Sequence, residues 1–189
     1  MNRLNKKKLI LKKNKKLVLK ILQVKDVSSS YVRWLNNKEI VKYTEQRYFK
    51  HNSRSVKKFV SEKYKSNKDF LFGIYYKNKH VGNIKLGPLN ERQKKSDISY
   101  IIGYKKLWNK GIASKSIDLI SEFAFKTLKL KILSAGAYLE NQGSIKVLKK
   151  NGYSFSRYSQ IKKKKTVILV KKKINYDLSK VVKTKNFFL

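Results

Sequence analysis

The stretch from residue 97 to residue 126 limits the folds open to this chain more than any other. Asp97–Gly103 alternates as a strand, a loop with three lysines follows, and a helix begins at Gly111. The first turn of a helix usually carries Asp or Glu, because its unpaired amides and partial positive charge attract anions. This turn, residues 112–115, carries no carboxylate. The stretch therefore predicts a strand, loop and helix arranged to bind a phosphate group. The alternative is that small residues only let the helix pack in a lysine-rich chain.

The rest of the chain indicates further strands and helices around this unit. The helices are predicted at 31–36, from Ser53 to about residue 66, and at 141–151, the last one closed by Gly152. The strands are predicted at 16–24, 70–76, 81–86, 131–139, 153–158 and 166–170. We expect one mixed α/β (α+β) domain over residues 17–174. A basic N-terminal arm would precede it at 1–16, and a tail would follow at 175–189.

The composition argues against several classes of function. The 189 residues include no cysteine and only two histidines, His51 and His80, so no metal site is expected. His80 falls in the predicted turn after residue 76 and is expected to be solvated. No apolar run reaches the roughly 18 residues that span a bilayer, and the basic start lacks the apolar core of a signal peptide. A cytoplasmic location and no membrane span are expected.

The formal charge of +37 raises the question of nucleic-acid binding. Only six of the 48 basic residues are arginine, and the lysines are spread evenly. Specific recognition of phosphates and bases favours arginine for its planar fork. We therefore expect no obligate nucleic-acid partner, while a general attraction for anionic substrates remains.

A second motif lies thirty residues after Gly111. It comprises Asn141-Gln142-Gly143-Ser144, then Leu148, then Asn151-Gly152-Tyr153. Together with the loop Trp108–Ala113, this order resembles the GCN5-related N-acetyltransferase (GNAT) superfamily over residues 17–172. Within it, the ribosomal-protein acetyltransferase branch is the most similar. The segments 33–36, 43–47, 81–84 and 97–103 look most like the amino-sugar N-acetyltransferases of that branch.

The resemblance implies a fold and a cofactor. The fold would be a twisted, mostly antiparallel sheet of six to seven strands flanked by about four helices. Acetyl-CoA would be the co-substrate, with its pantetheine arm along the backbone of Ile101, Ile102 and Gly103. Its pyrophosphate would lie on the amides of Asn109, Lys110, Gly111, Ile112, Ala113 and Ser114. Asn141 would bind the pantetheine or the thioester end, and the same residue type is also a common helix N-cap.

Two positions depart from the resembling families. In many relatives a tyrosine protonates the departing thiolate, and Leu148 occupies the position of that tyrosine here. The strand glutamate of the ribosomal-alanine enzymes is Gly136 here. Ser144 or water would then supply the acid, and the ribosomal-alanine subclass is disfavoured.

The acceptor amine needs a base that removes its ammonium proton. Two carboxylates are candidates: Asp97, whose face of the strand also carries Ser99 and Ile101, and Glu45, in the loop expected over the acceptor. Either could instead be a salt-bridge partner for the abundant lysines. The acceptor-pocket candidates are Trp34, Tyr43, Gln46 and Arg47.

The sequence leaves three functions open. The first is acetyl transfer to a primary amine of a small acceptor, a nucleotide-linked amino sugar. The second is acetylation of a protein N-terminus, with the basic arm docked on RNA. The third is a non-catalytic RNA- or membrane-surface-binding module, which would need clustered arginines and exposed stacking aromatics. A homodimer is left open.

Overall fold

The strands in the described part of the chain form one sheet. The computed structural model describes residues 6–12 and 16–173. The eight strands are β1 Ile10–Lys12, β2 Leu17–Ile21, β3 Phe70–Tyr76, β4 Lys79–Leu86, β5 Lys95–Ile102, β6 Ile132–Tyr138, β7 Ser154–Ile161 and β8 Lys164–Lys172. Their order in the sheet is β1-β2-β3-β4-β5-β6-β8-β7. Every neighbouring pair is antiparallel except β5 and β6, which are parallel.

Five α-helices cover the sheet: α1 Ser29–Asn36, α2 Lys38–Val41, α3 Ser53–Lys65, α4 Ile112–Glu122 and α5 Gln142–Lys150. Side-chain oxygens cap most of their N-termini, including Ser28 before α1 and Asn141 before α5. Helix α3 is capped by Asn52, one residue before the predicted cap Ser53. Among the described residues, every helix is too short or too polar to cross a bilayer.

The two faces of the sheet are buried by different helices. On one face, α4 and α5 pack Ile117, Ile120 and Leu148 into the larger core. On the other face, α1 and α3 pack around Trp34 and Val60. Strand β3 shows the alternation that a period of two requires: Phe70 and Phe72 lie in the first core, and Leu71 lies in the second.

The described part of the segment that was predicted as a basic arm packs against the domain. Residues Ile10–Lys12 form an edge strand paired with β2, in register Ile10↔Lys20. Lys6 donates to the carbonyls of Tyr64 at 3.2 Å and Asp69 at 2.7 Å, at and just beyond the C-terminal end of α3. A cation is favourable there because the last carbonyls of a helix carry partial negative charge. The basic segment is thus bound to the domain, and it adds the eighth strand.

The fold class is confirmed, with one strand and one short helix more than expected. The predicted antiparallel pair at the end of the chain is present as β7 and β8. Gly152 closes α5 with φ of 79°, as expected for a left-handed C′ residue. The predicted tail at 175–189 lies outside the described residues.

The parallel pair β5–β6 determines where a ligand could lie. The two strands pair over three residues only, ending at Asp97↔Ser134. Beyond that point they diverge, and each strand exposes an unpaired edge in the middle of the sheet. Unpaired strand edges offer rows of amides and carbonyls to a partner.

Candidate active site

A cavity of about 1210 Å³ opens where β5 and β6 diverge. Its first part, the loop half, is lined by the end of β5 and the starts of α4 and α5 (residues 98–102, 107–109, 111–114, 141–144, 147 and 148). Its second part, the clamp half, is lined by residues 39, 40, 42–46 and 49–51 together with Asn83, Lys85, Tyr138 and Thr166. The sheet is the floor of both halves.

The strand β5 presents only alternate backbone groups to the loop half. The amide of Gly103 donates to Val81 on β4 at 2.8 Å, so Gly103 faces β4 and not the open edge. By the same alternation Ile101 also faces β4, while Tyr100 and Ile102 face the open edge. The carbonyl of Ile102 accepts a bond of 2.9 Å from the indole Nε1 of Trp108. Of the three residues predicted to pair with pantetheine by backbone bonds, only Ile102 is oriented to do so.

Gly103 has a packing role that its position in the sequence did not reveal. A Cβ at Gly103 would lie 1.9 Å from Cδ2 of Trp34. Trp34 is 6% exposed and is not part of the cavity wall. Trp34 thus lies in the core and not in the cavity wall, where an acceptor-pocket residue was expected. It is a core residue that fixes α1 against the end of β5.

The loop before α4 has the shape that a phosphate group requires. Gly111 is the N-cap with φ of 75°, and Asn109 is left-handed with φ of 60°. The amide of Lys115 makes a helical bond to Gly111 at 3.0 Å, so the amides of residues 112–114 precede the hydrogen-bonded turns. A Cβ added at Gly111 would meet nothing within 4 Å. The open space and free amides fit an anion, while Lys110 lies outside the wall.

Asn141 and Ser114 make side-chain hydrogen bonds at the ends of α5 and α4. Asn141 Oδ1 accepts from the amide of Ser144 at 3.1 Å, so the predicted N-cap role is present. Ser114 Oγ accepts from Asn151 Nδ2 at 2.9 Å, which links α4 to α5 and leaves the Ser114 hydroxyl proton free for a ligand. Both residues line the loop half.

Ser144 has a hydroxyl partner that the sequence did not suggest. The hydroxyls of Tyr100 and Ser144 lie 2.8 Å apart. Burial raises the pKa of Tyr100, and its hydrogen bond to Ser144 offsets part of that rise. Leu148, which stands where relatives of the resembling family carry a tyrosine, is buried at 1% exposure.

The clamp half is built around Glu45. Its carboxylate accepts a hydrogen bond from the hydroxyl of Tyr138 and lies 3.8 Å from the ammonium of Lys162. Burial, followed by the hydrogen bond and charge of Glu45, raises the pKa of Tyr138 to about 12. Glu45 lies in the cavity wall, as do Tyr43 and Gln46. The 3-10 turn Glu45–Tyr48 and the β7–β8 hairpin thus meet across the cavity mouth.

Arg47 is held beside this clamp and is not in the wall of the main cavity. Its guanidinium carbon lies 4.6 Å from the ring centre of Tyr138 and 4.8 Å from that of Tyr48. It also donates to the carbonyl of Lys42. Direct contact of Arg47 with an acceptor is therefore less favoured than a role in packing the Tyr138 ring.

Asp97 is not brought into the cavity. Its carboxylate accepts a hydrogen bond from Ser134, at the last pair before β5 and β6 diverge. It is exposed and absent from the cavity wall, whereas Ser99 and Ile101 on the same strand face line it. Of the two candidate bases, the structure places only Glu45 at the cavity.

Two buried polar groups in the clamp half were missed by the sequence. Asn83 and Thr166 line the cavity, and neither Asn83 Nδ2 nor Thr166 Oγ1 has a hydrogen-bond partner within the described residues. A buried polar atom left unpaired costs about 1–3 kcal/mol, so a ligand group is a natural partner for each. Inward-facing polar residues on otherwise apolar strands are the only signal that could have found them.

His80 is also placed differently from the expectation. It is not solvated in a turn but packs against Trp34 and stacks on Tyr75 with ring centres 5.0 Å apart. Its Nε2 is hydrogen-bonded to Asn83 Oδ1 at 2.8 Å. Burial lowers the pKa of His80, against the opposing effect of its hydrogen bonds. The imidazole thus fixes the orientation of Asn83 beneath the clamp half.

The arrangement suits transfer of an acyl group between two bound molecules. The open edge of β5, the loop before α4 and the N-terminus of α4 can hold a long phosphorylated donor of the acyl group. The carboxylate of Glu45 faces the adjoining clamp half. Within the described residues, no three His, Cys, Asp or Glu side chains are grouped as a metal site.

Comparisons with known proteins agree with this geometry. A family model for the acetyltransferase (GNAT) domain matches residues 16–154. No curated protein matches the chain by sequence.

Solved structures similar to this one include three acetyltransferases. The ribosomal-protein α-N-acetyltransferase RimL with coenzyme A has a TM-score of 0.77 at 13% identity, covering 87% of this chain and 98% of that one. The microcin self-immunity acetyltransferase MccE with acetyl-CoA and AMP has a TM-score of 0.74 at 19% identity, covering 84% and 93%. Spermidine N-acetyltransferase from Vibrio cholerae with CoA and spermine has a TM-score of 0.73 at 16% identity, covering 84% and 96%.

The likeness to these structures establishes the fold, while the family model covers most of the chain, including the loop before α4 and the motif at Asn141. The chain therefore belongs to the GCN5-related N-acetyltransferase (GNAT) family and is an acetyl-CoA-dependent N-acetyltransferase.

Proposed function

We propose that this enzyme acetylates the primary amine of a small, anionic acceptor, a nucleotide-linked amino sugar. The observation that carries the proposal is the charge of the clamp half. Lys42, Lys50 and Lys85 line it, and Lys85 lies 3.9 Å from the carboxylate of Asp69. The two carboxylates that line it are also paired, Glu39 with Lys105 and Glu45 with Lys162. In a protein of formal charge +37, this surface attracts anions and repels polycations.

The buried donors of the clamp half support the same acceptor class. An amide and a hydroxyl without partners, on Asn83 and Thr166, suit an acceptor rich in hydroxyl and carbonyl groups. MccE, which shares this fold, has been crystallised with AMP beside acetyl-CoA. A polyamine such as the spermine bound to the Vibrio cholerae enzyme would offer no acceptor oxygens and would be repelled by the lysines.

In the mechanism that we propose, the residues of this chain have three tasks. Bound acetyl-CoA supplies an activated acetyl thioester. The amides of residues 112–114, with Asn109 and Gly111 shaping the loop, hold its pyrophosphate, while Ile102 and Asn141 orient its arm. Glu45 accepts the proton of the acceptor ammonium through water, and Ser144 donates a hydrogen bond to the departing sulfur.

A second candidate function is acetylation of a protein N-terminus. Its support is the fold shared with RimL, and its weakness is Gly136, which stands where the ribosomal-alanine enzymes carry a glutamate. A cytoplasmic location and a homodimer remain predictions of the sequence.

An acceptor screen distinguishes the candidates. Nucleotide-linked amino sugars, the same sugars without the nucleotide, polyamines and N-terminal peptides would be compared by release of CoA thiol. We expect the highest kcat/KM for nucleotide-linked sugars and a clear loss without the diphosphate. Turnover of peptides alone would replace this proposal with the second candidate.

A further inference from the structure

Tyr100 occupies a special position in the divided sheet. It lies on β5 three residues past the last β5–β6 pair, Asp97↔Ser134. Its hydroxyl lies 2.8 Å from that of Ser144, in the first turn of the helix that follows β6. The hydrogen bond therefore connects the two sides of the sheet where the cavity separates them. Both residues line the loop half.

The direction of this hydrogen bond decides what Ser144 can do. A serine hydroxyl has one proton and two acceptor lone pairs. If Tyr100 donates, the proton of Ser144 stays available to a third atom in the cavity. If Ser144 donates, it has no proton left for a ligand. A phenol is protonated at neutral pH and is more acidic than an aliphatic hydroxyl, so Tyr100 is the stronger hydrogen-bond donor of the two.

We propose that Tyr100 is a positioning residue that donates to Ser144 and thereby aims the Ser144 proton at the sulfur of acetyl-CoA. This inference rests on the role of Ser144 proposed above. In the step concerned, the amine nitrogen bonds to the acetyl carbon and the C–S bond breaks with its electron pair on sulfur. After Glu45 has taken the ammonium proton, the attacking nitrogen loses its second proton to water, sulfur takes the Ser144 proton, and that water returns a proton to Ser144.

In this proposal, Tyr100 and Ser144 together supply the proton that a tyrosine at the position of Leu148 supplies in many relatives. Leu148 is buried in the core and offers no proton. A tyrosine on β5 instead reaches the helix from the strand side and acts through a serine. Linked hydrogen bonds of this kind polarise each other, so a serine that accepts from a phenol is a better donor than an isolated one.

The kinetic test compares three variants. Tyr100→Phe should lower kcat about tenfold, the loss expected for one hydrogen bond, and Ser144→Ala should lower it about 10²-fold. The double variant should be no slower than Ser144→Ala, because Tyr100 acts only through Ser144. Additive losses would overturn the proposal.

Tyr153→Phe is the matched control. Its hydroxyl pairs with Ser121 Oγ at 3.2 Å, and this second tyrosine–serine pair is buried away from the cavity wall. The control should change neither kcat nor the affinity for acetyl-CoA. If Tyr100→Phe has no larger effect on kcat than Tyr153→Phe, the proposal fails.

A readout without turnover uses CoA alone. Titration of the bound thiol by thiolate absorbance should give a lower pKa in the wild type than in Tyr100→Phe or Ser144→Ala, because donors to sulfur stabilise the thiolate. Equal thiol pKa values in the wild type and Tyr100→Phe would overturn the assignment. Since no acceptor is present, the result does not depend on the identity of the acceptor.

Discussion

The two halves of the cavity are lined by different parts of the chain, one by backbone groups and the other by side chains. The loop half is mainly backbone: the open edge of β5, the left-handed residues Asn109 and Gly111, and the amides that start α4. The clamp half is mainly side chains from segments far apart in sequence, among them Glu45, Tyr138 and Thr166. A backbone site tolerates many side chains and binds a group common to a family. A side-chain site can change its specificity with a few substitutions.

The difference shows why one half is predictable and the other is not. The loop half depends on Gly111, on the start of α4 and on the spacing of thirty residues between Gly111 and Asn141. All three can be read along the chain. The clamp half depends on pairs such as Tyr138 with Glu45, which are 93 residues apart. The predictions below test whether the two halves are as separate in function as they are in construction.

The largest effect is expected in the clamp half. Glu45→Gln should lower kcat by about 10²- to 10⁴-fold, the range for loss of a general base, with the affinity for acetyl-CoA unchanged. Asp97→Asn is the matched control, because Asp97 bonds Ser134 outside the cavity wall. Steady-state kinetics and calorimetry would check both. A larger loss of kcat in Asp97→Asn would return the role of base to Asp97.

The next effect concerns the loop half. Gly111→Val should weaken acetyl-CoA binding by about 10- to 100-fold, because a β-branched residue at φ of 75° costs on the order of 1–3 kcal/mol and the loop relaxes away from its anion-binding shape. Gly152→Val imposes similar strain at φ of 79°, outside the cavity wall.

Calorimetry on both glycine variants separates strain from binding. Both proteins should lose thermal stability, and only Gly111→Val should lose affinity for acetyl-CoA. Equal affinities in the two variants would mean that the pyrophosphate does not lie on this loop.

A smaller effect is expected from Lys6, which binds the C-terminal end of α3. Lys6→Ala removes the cation from the carbonyls at the end of α3, whose first turns line the cavity with Ser55 and Val56. The free energy of unfolding should fall by about 1.5–3 kcal/mol, the value of hydrogen bonds to a charged group. Urea unfolding measures this, and kcat should change little. A large loss of kcat at full stability would place the basic segment in the active site.

The smallest expected effect is a dependence of the free energy of unfolding on pH. It comes from His80, which lies beneath the clamp half. Since burial lowers the pKa of folded His80, the unfolded chain binds the proton more readily. Stability is then complete above the unfolded pKa of about 6.5 and falls as the pH decreases through it. His80→Gln should flatten the slope of unfolding free energy against pH below 6.5, as followed by thermal denaturation. An unchanged slope would show that His80 is not the group responsible.

Much of the fold could be read from the sequence because its elements follow local rules. The strand at 70–76, the helix ending before Gly152 and the glycine at the start of α4 were all placed within a residue or two. Errors arose where a segment is stabilised by distant contacts. Strand β1 was missed because Ile10–Lys12 is short and lies in a lysine-rich segment, and it pairs with the available edge of β2. His80 was misjudged because its aromatic neighbours come from α1 and β3.

The sequence by itself determined the loop half: where the helix starts, that no carboxylate fills its first turn, and that Asn141 follows at the family spacing. Only the tertiary structure decided which carboxylate faces the cavity, and that Tyr100 meets Ser144 across 44 residues. The physical reason is that helix caps and turns are fixed by interactions within a few residues, whereas side-chain partners depend on strand order and register. Those are set by the packing of the whole sheet at once.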